Sequence, residues 1–209
     1  MGPLVMLDYA GVALFAATGA LAASRKQLDI IGFLFLGAVT GIGGGTARDL
    51  MLRQPVFWVE QHLFIVVCAG AAILVFFTAH LIESRYRLLL WLDAVALSAY
   101  AVLGAQKGLV ATGSPIVAVV MGMITGTLGG VLRDVLAGEK SVLLSRDIYV
   151  TAAMAGAVVF VAAQGFGLPP WPAAALGFGL ALGVRSGALL FGWTFPPYRS
   201  RPGGSGPKR

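Results

Sequence analysis

A run of glycines followed by an arginine and an aspartate is the segment of this sequence that most suggests chemistry. The first copy, "TGIGGGTARD", spans Thr40–Asp49, and a second copy, "TGTLGGVLRD", spans Thr125–Asp134. Glycine-rich loops of this kind can bind phosphate groups in soluble proteins. Within a membrane, glycine-interrupted segments beside charges are typical of a substrate or ion path. The rest of the sequence must distinguish a nucleotide site from a membrane pathway.

The spacing does not support a phosphate-binding loop. A P-loop requires a lysine directly after its last glycine, whereas Thr46 follows Gly45. A dinucleotide-binding G-x-G-x-x-G pattern that starts at Gly41 also reaches Thr46 where its last glycine should stand. Neither copy lies between a strand pattern and a helix pattern. The glycines therefore need another explanation.

The composition is that of an integral membrane protein. Hydrophobic residues make up 58% of the 209 residues and charged residues only 11%, while soluble domains carry about 25% charged residues. The mean hydropathy is +0.86. The net charge of +6 comes from charges placed between apolar runs, which indicates loops at an anionic lipid surface and no nucleic acid partner. The single Cys68 excludes an internal disulfide framework and argues against a metal site.

Seven apolar segments have about the 20 residues that a helix needs to span a bilayer. We therefore predict an all-α integral membrane protein with one transmembrane domain at residues 1–195 and a disordered basic tail at residues 196–209. Lys and Arg concentrate on one side if the N-terminus is outside and the C-terminus cytoplasmic, which places Arg53 and Lys107 on the outer side. The predicted spans are Leu4–Ala23, Ile30–Leu52, Leu63–Leu81, Leu88–Val110, Ile116–Ala137, Ile148–Ala163 and Trp171–Trp193.

The two glycine segments belong to a longer internal repeat. The shift that places Thr40 on Thr125, called the repeat shift below, aligns the two segments with identity at six of ten positions, and it also places Asp8 on Asp93 and Gly19 on Gly104. Each unit holds three predicted spans, so the second unit enters the membrane from the opposite side. We predict inverted repeats, with repeat one at about residues 4–83, repeat two at about 88–165, and a seventh helix at about 171–193.

The glycines of the repeat have two possible roles. They can bend the second and fifth helices and expose backbone carbonyls to a polar path, or they can let helices pack closely, as G-x-x-x-G patterns do. We assign packing to the G-x-x-x-G positions of the second, fifth and last spans. The predicted kink positions, which stand next to charges within the spans, are Gly43, Gly44, Gly45, Gly129 and Gly130.

Charged residues within spans cost at least about 2.5 kcal/mol near a helix centre and normally face a partner or water. Neighbours such as Arg48 and Asp49 point about 100° apart on a helix and are expected to pair poorly with each other. Depth in the membrane and the repeat predict two salt bridges instead, Asp8–Arg48 and Asp93–Arg133. Structural pairing or snorkelling is the alternative to a role in a pathway. The predicted set of charges within the spans is Asp8, Arg48, Asp49, Asp93, Lys107, Arg133 and Asp134.

Two basic residues have no equivalent in the other repeat. Lys107 aligns with Ala22, and it either snorkels to the outer surface or stands near one mouth of a conduction path. Arg185, in the seventh span, is expected to anchor the helix at the inner interface.

The segments "GGGTARDL" and "GGVLRDVL", together with "GAQKGL" and "GALLFGWTFPP", resemble the prokaryotic trimeric intracellular cation (TRIC) channels. The resemblance covers about residues 5–195. It implies a homotrimer of seven-helix protomers, each with its own pore near the kinked second and fifth helices, that passes monovalent cations, chiefly potassium. The second copy departs from three consecutive glycines at Leu128, which would make its bend milder.

A small-solute transporter is the alternative function, because inverted repeats are typical of carriers and members of this sequence family have been labelled glycine transporters. A structural membrane protein is the third class. The sequence has no nucleophile–base pair, metal-ligand cluster or acidic dyad, so we expect neither an enzyme nor a cofactor. The expected partners are potassium and other monovalent cations, membrane lipids and further copies of the chain.

Overall fold

The computed structural model describes residues 3–82, 84–142 and 148–194, and the fold is all-helical. The predicted tail at residues 196–209 lies outside the described residues. The helices are α1 (Pro3–Arg25), α2 (Ile30–Met51), α3 (Phe57–Glu60), α4 (Leu63–Thr78, extended by a 3₁₀ turn at Ala79–Leu81), α5 (Arg85–Thr112), α6 (Pro115–Leu136), α7 (Val150–Gly165) and α8 (Pro170–Phe191).

The long helices agree with the predicted spans to within a few residues at most ends. Six helices of the described part of the chain have the length and apolar composition to cross a membrane, and α7 is a shorter apolar helix. The predicted sixth span starts too early, because Tyr149 precedes α7 as its N-cap residue. The short helix α3 was not predicted, since four residues are too few to give a hydrophobic period. We call the end of the bundle where α1 begins the outer end and the end where α1 ends the inner end, following the predicted orientation.

Capping residues explain where several of the spans begin and end. Asp29 accepts a hydrogen bond from the backbone N–H of Gly32 at the start of α2, at 2.8 Å. Ser114 precedes Pro115 at the start of α6 and accepts from the backbone N–H of Val117. These are favoured residues at the N-cap and first helical positions. Gly113 ends α5 with φ of 66°, a left-handed conformation that glycine adopts without strain.

The two repeats use the same packing contacts. Gly19 of α1 lies against the carbonyl of Leu36 and the hydroxyl of Thr40 on α2. Gly104 of α5 lies against Met121 and Thr125 of α6 in the same way, and the repeat shift places each residue of the first set on its counterpart in the second. This correspondence relates α1, α2 and α4 to α5, α6 and α7, whereas α8 packs on α5 and α7.

The G-x-x-x-G glycines of α2 and α6 pack within the protomer, as predicted for these positions. A Cβ atom on Gly41 would lie 3.2 Å from the carbonyl of Val12, and one on Gly126 would lie 2.9 Å from the carbonyl of Leu97. The last span differs. Gly179 and Gly183 of α8 face open space within the described protomer, and Gly187 contacts Trp193. Among these patterns, only the one on α8 leaves glycines free on the surface of the described protomer.

Candidate functional site

Helices α2 and α6 cross in the middle of the molecule with their backbones in contact. A Cβ atom on Gly44 would collide with the carbonyl oxygen of Thr125, and one on Gly129 would lie 2.6 Å from the carbonyl oxygen of Thr40. The two contacts are reciprocal under the repeat shift, as a two-fold axis between the helices would require. Both helices continue through the glycine segments without interruption. These two glycines therefore serve close packing, and a kink at either position stays a prediction.

The neighbouring glycines make room for side chains from other elements. Gly43 faces the side chain of Leu132, and Gly45 lies under the ring of Phe57 at the outer end. Gly130 faces the hydroxyl group of Tyr149 at the inner end, where a Cβ atom would also lie 3.1 Å from Oδ1 of Asp93. A side chain from another element fills the space beside each of these three glycines, so they serve packing as well.

A charge cluster at the inner end contains one of the two predicted salt bridges. Nη1 of Arg133 lies 2.6 Å from Oδ1 of Asp93, and the same nitrogen donates to Oγ1 of Thr18 at 3.1 Å. Nε of Arg133 donates to Asp134 at 3.0 Å. Arg133 and Asp93 are each only 1% exposed. The Asp93–Arg133 pair is confirmed, and it connects α6 to α5.

The predicted Asp8–Arg48 salt bridge at the outer end is wrong. Asp8 instead contacts the ammonium group of Lys107 at 3.2 Å and accepts from the hydroxyl group of Tyr100 at 3.0 Å. Lys107 has no counterpart in the first repeat, so it breaks the symmetry on which the prediction relied. The prediction that Arg48 and Asp49 pair poorly is also wrong, because Nη2 of Arg48 lies 2.7 Å from Oδ1 of Asp49. The long arginine side chain folds back across the helix surface, which an argument from Cβ directions does not consider.

The second carboxylate oxygens of the two motif aspartates have matching roles. Oδ2 of Asp49 accepts from the backbone N–H of Phe57 at 3.0 Å. Oδ2 of Asp134 accepts from the backbone N–H of Val142 at 2.9 Å, and Val142 is the counterpart of Phe57 under the repeat shift. Each Arg-Asp pair thus fastens the chain that follows its helix back onto the helix end.

The outer end contains a cavity of about 660 Å³. The ring of Phe57 lies between two cationic groups there, 5.7 Å from the guanidinium carbon of Arg48 and 5.4 Å from the ammonium nitrogen of Lys107. Lys107 lines this cavity with its side chain 39% exposed, and its predicted place near one mouth of a conduction path stays a prediction. The polar residues of the cavity wall are Asp8, Asp49, Gln54, Glu60, Gln61, Gln106 and Lys107.

The expectation that Arg185 anchors α8 at the membrane interface is wrong. Arg185 is only 1% exposed, its guanidinium carbon lies 5.0 Å from the ring centre of Tyr149, and Nη1 donates to the carbonyl of Ile148 at 3.3 Å. The residue joins α8 to the start of α7 inside the protein. Within the described residues, no group of three or more His, Cys, Asp and Glu side chains is arranged to hold a metal ion.

The fold matches that of solved TRIC channels. The TRIC trimeric intracellular cation channel orthologue from Rhodobacter sphaeroides is 51% identical, with a TM-score of 0.89 over 92% of this chain and 100% of that one. The chain belongs to the TRIC channel family. A second TRIC cation channel is 29% identical with a TM-score of 0.85, over 97% of this chain and all of that one. A TRIC channel from C. elegans, at 15% identity and a TM-score of 0.61, shares the fold.

Sequence comparisons give the same grouping under other names. The family described as "Glycine transporter" matches residues 5–80 and 90–165, two segments that begin at equivalent positions under the repeat shift. The UPF0126 inner membrane protein YadS of Escherichia coli (strain K12) is 38% identical over 92% of this chain and 94% of its own length. A UPF0126 membrane protein of Vibrio cholerae is 34% identical over 93% of this chain and 82% of its own. This TRIC family member is thus an integral membrane protein whose relatives include an inner membrane protein.

Four residues around the charge clusters were missed from the sequence. Tyr100 donates a hydrogen bond to Asp8, and Thr18 accepts one from Arg133. Phe57 fills the space over Gly45, and Tyr149 fills the space over Gly130. Thr18 aligns with Leu103 under the repeat shift, and Tyr100 aligns with Phe15. A search for polar residues that differ between the repeats would have found both.

Proposed function

We propose that this chain is a cation channel of the inner membrane. It forms homotrimers, and each protomer passes monovalent cations, chiefly potassium, along a path beside α2 and α6, with the N-terminus outside and the C-terminus in the cytoplasm. The solved relatives support this proposal, since they are described as trimeric intracellular cation channels and one prokaryotic member was crystallised in 0.5 M KCl. The kink positions Gly43, Gly44, Gly45, Gly129 and Gly130 keep their proposed place beside that path.

The acidic wall of the outer cavity is the observation that carries the proposal. Three carboxylates, those of Asp8, Asp49 and Glu60, line the cavity, against two cationic groups, since Lys107 pairs with Asp8 and Arg48 pairs with Asp49. An excess of negative charge around a cavity raises the local concentration of cations and lowers that of anions. The cavity lies at the outer ends of α2 and α5, where a path through the protomer would begin.

Lys107 determines whether the carboxylate of Asp8 is available to a permeating ion. Its ammonium nitrogen lies 3.2 Å from Oδ2 of Asp8, at the position that a cation bound to Asp8 would occupy. Oδ1 of Asp8 is already bonded to Tyr100. A potassium ion that enters the cavity therefore competes with a tethered ammonium group for one carboxylate oxygen.

Planar-bilayer recording tests the function directly. Purified protein in a KCl gradient should show unitary current steps whose reversal potential moves toward that of potassium. The variant Asp8→Asn should lower the unitary potassium conductance about twofold or more, because it removes one charge from the cavity wall. Asp29→Asn is the matched control, since Asp29 lies at the inner end as an N-cap and asparagine caps equally well.

A small-solute transporter is the second candidate. The family description "Glycine transporter" and the repeat favour it, because alternating access uses inverted halves. Uptake of labelled glycine into proteoliposomes without unitary current would support the carrier, and current without uptake would support the channel. An anion-directed reversal potential would contradict the role that the acidic cavity has in the proposal.

A further inference from the structure

The inner charge cluster contains a hydrogen bond between the two repeats, from Arg133 to Thr18. At the outer end the repeats are joined differently, by the bonds that Tyr100 and Lys107 donate to Asp8. Thr18 lies on α1 in repeat one, and Arg133 lies on α6 in repeat two. The hydroxyl group of Thr18 donates to the carbonyl of Phe15 at 2.8 Å, so its lone pairs are left to accept from Nη1 of Arg133 at 3.1 Å. Both residues are buried, Thr18 at 0% and Arg133 at 1% exposed. The hydroxyl group is therefore held as an acceptor for the guanidinium.

The equivalent position at the outer end cannot make this bond. Thr18 corresponds to Leu103 and Arg133 corresponds to Arg48 under the repeat shift. Leucine has no side-chain acceptor, and within the described residues Nη1 of Arg48 has no hydrogen-bond partner. Leu103 instead forms part of the wall of the outer cavity. Where the bond from threonine to arginine is missing, the molecule has a cavity.

The aspartates at the two ends, Asp93 and Asp8, also differ in their surroundings. Asp93 is 1% exposed and bonded to Arg133, whereas Asp8 lies in the cavity wall beside a partly exposed lysine. The hydroxyl group of Tyr149 lies over Gly130 beside Asp93 and packs around this pair. The inner end thus holds a buried ion pair that Thr18 ties to the first repeat.

We infer that Thr18 is a positioning residue that holds Arg133 across the inner end of the path and so stabilises the closed state. This role rests on the proposed channel function. Opening the inner end requires the guanidinium of Arg133 to leave Asp93 or to move with it, and either movement breaks the bond to Thr18. The threonine acts through the arginine and does not itself contact the permeating ion.

Thr18→Val tests this bond with little change of volume. Valine keeps the branched shape and removes the acceptor, so the ratio of closed to open channels should fall about tenfold, which corresponds to about 1.4 kcal/mol and lies near the lower end for a hydrogen bond to a charged group. The unitary conductance should not change, because the path itself is unaltered. Thr18→Ser keeps the hydroxyl group and should restore the open probability of the unmodified protein.

Thr78→Val is the matched control, since the same substitution there removes a hydroxyl group that bonds the carbonyl of Leu74 within its own helix. Single-channel recordings of the unmodified protein, Thr18→Val, Thr18→Ser and Thr78→Val separate the possible outcomes. If Thr18→Val and Thr78→Val have the same open probability while the unmodified protein conducts, the positioning role is contradicted and the channel function stands. If the serine variant behaves like the valine variant, the hydroxyl group is not the cause. If no variant and no unmodified protein gives unitary currents, the proposed function fails together with the positioning role.

Discussion

Replacing Gly129 with alanine tests the backbone contact at which α2 and α6 cross. A Cβ atom at this position would lie 2.6 Å from the carbonyl oxygen of Thr40, whereas real Cβ atoms essentially never approach closer than 3.0 Å. The helices must therefore move apart until this contact reaches at least that limit. The carbonyl belongs to the backbone of α2 and cannot rotate away as a flexible side chain could. The whole crossing has to adjust.

The expected cost follows from two opposing terms. Overpacking a tight contact costs about 1–3 kcal/mol, and alanine recovers about 0.8–1 kcal/mol of helix propensity relative to glycine. Gly70→Ala in α4 is the matched control, because no atom lies within 4 Å of its Cβ position and only the propensity term applies. The two variants should therefore differ in unfolding free energy by about 1–3 kcal/mol, with Gly129→Ala the less stable.

Thermal unfolding in lipid nanodiscs, read by tryptophan fluorescence, is a suitable assay. Gly70→Ala should unfold at or above the temperature of the unmodified protein, and Gly129→Ala should unfold below it. A Gly129→Ala protein as stable as Gly70→Ala would mean that α2 and α6 separate freely. The reasoning that treats this glycine pair as a rigid contact would then be refuted.

Two further predictions concern the charges and the assembly. Asp93→Asn should lower the unfolding free energy by up to about 3–5 kcal/mol, because it removes one of the two carboxylates that pair with the buried Arg133. Glu139→Gln at the partly exposed Arg25 pair should cost less than about 1 kcal/mol, and equal effects in denaturant titrations would contradict the burial argument. Gly183→Leu should weaken the trimer measured by native mass spectrometry, because Gly183 faces open space within the protomer, and an unchanged trimer would place the interface elsewhere.

The sequence predicts the helices and the repeat well because both depend on local or directly alignable patterns. Six of the spans are long and apolar, and a membrane leaves helices as the simplest way to satisfy their backbone groups. The pair formed by Asp93 and Arg133 was also predictable, since depth and the repeat shift both point to it. The short helix α3 and the loop before it carry no such periodic signal, so that element was missed.

The wrong predictions for Asp8 and Arg185 share one physical cause, which is competition between partners that a single sequence does not rank. Arg48 lies at about the membrane depth expected for a partner of Asp8, but Lys107 and Tyr100 bond Asp8 instead, from α5. The position of α5 relative to α1 depends on tertiary packing that no local rule gives. Burial of Arg185 against Tyr149 likewise depends on how α8 docks.

The glycine contact between α2 and α6 also limits how the molecule can move. Because Gly44 and Gly129 bring the two backbones together at one crossing, any rotation of one repeat against the other would pivot there. A rocking movement about a pivot widens one end of the molecule only as it narrows the other. A channel must be open at both ends at the same moment, so rocking about this crossing cannot open it, and side-chain movements have to do so instead. A carrier, which opens one end at a time, could use the rocking itself.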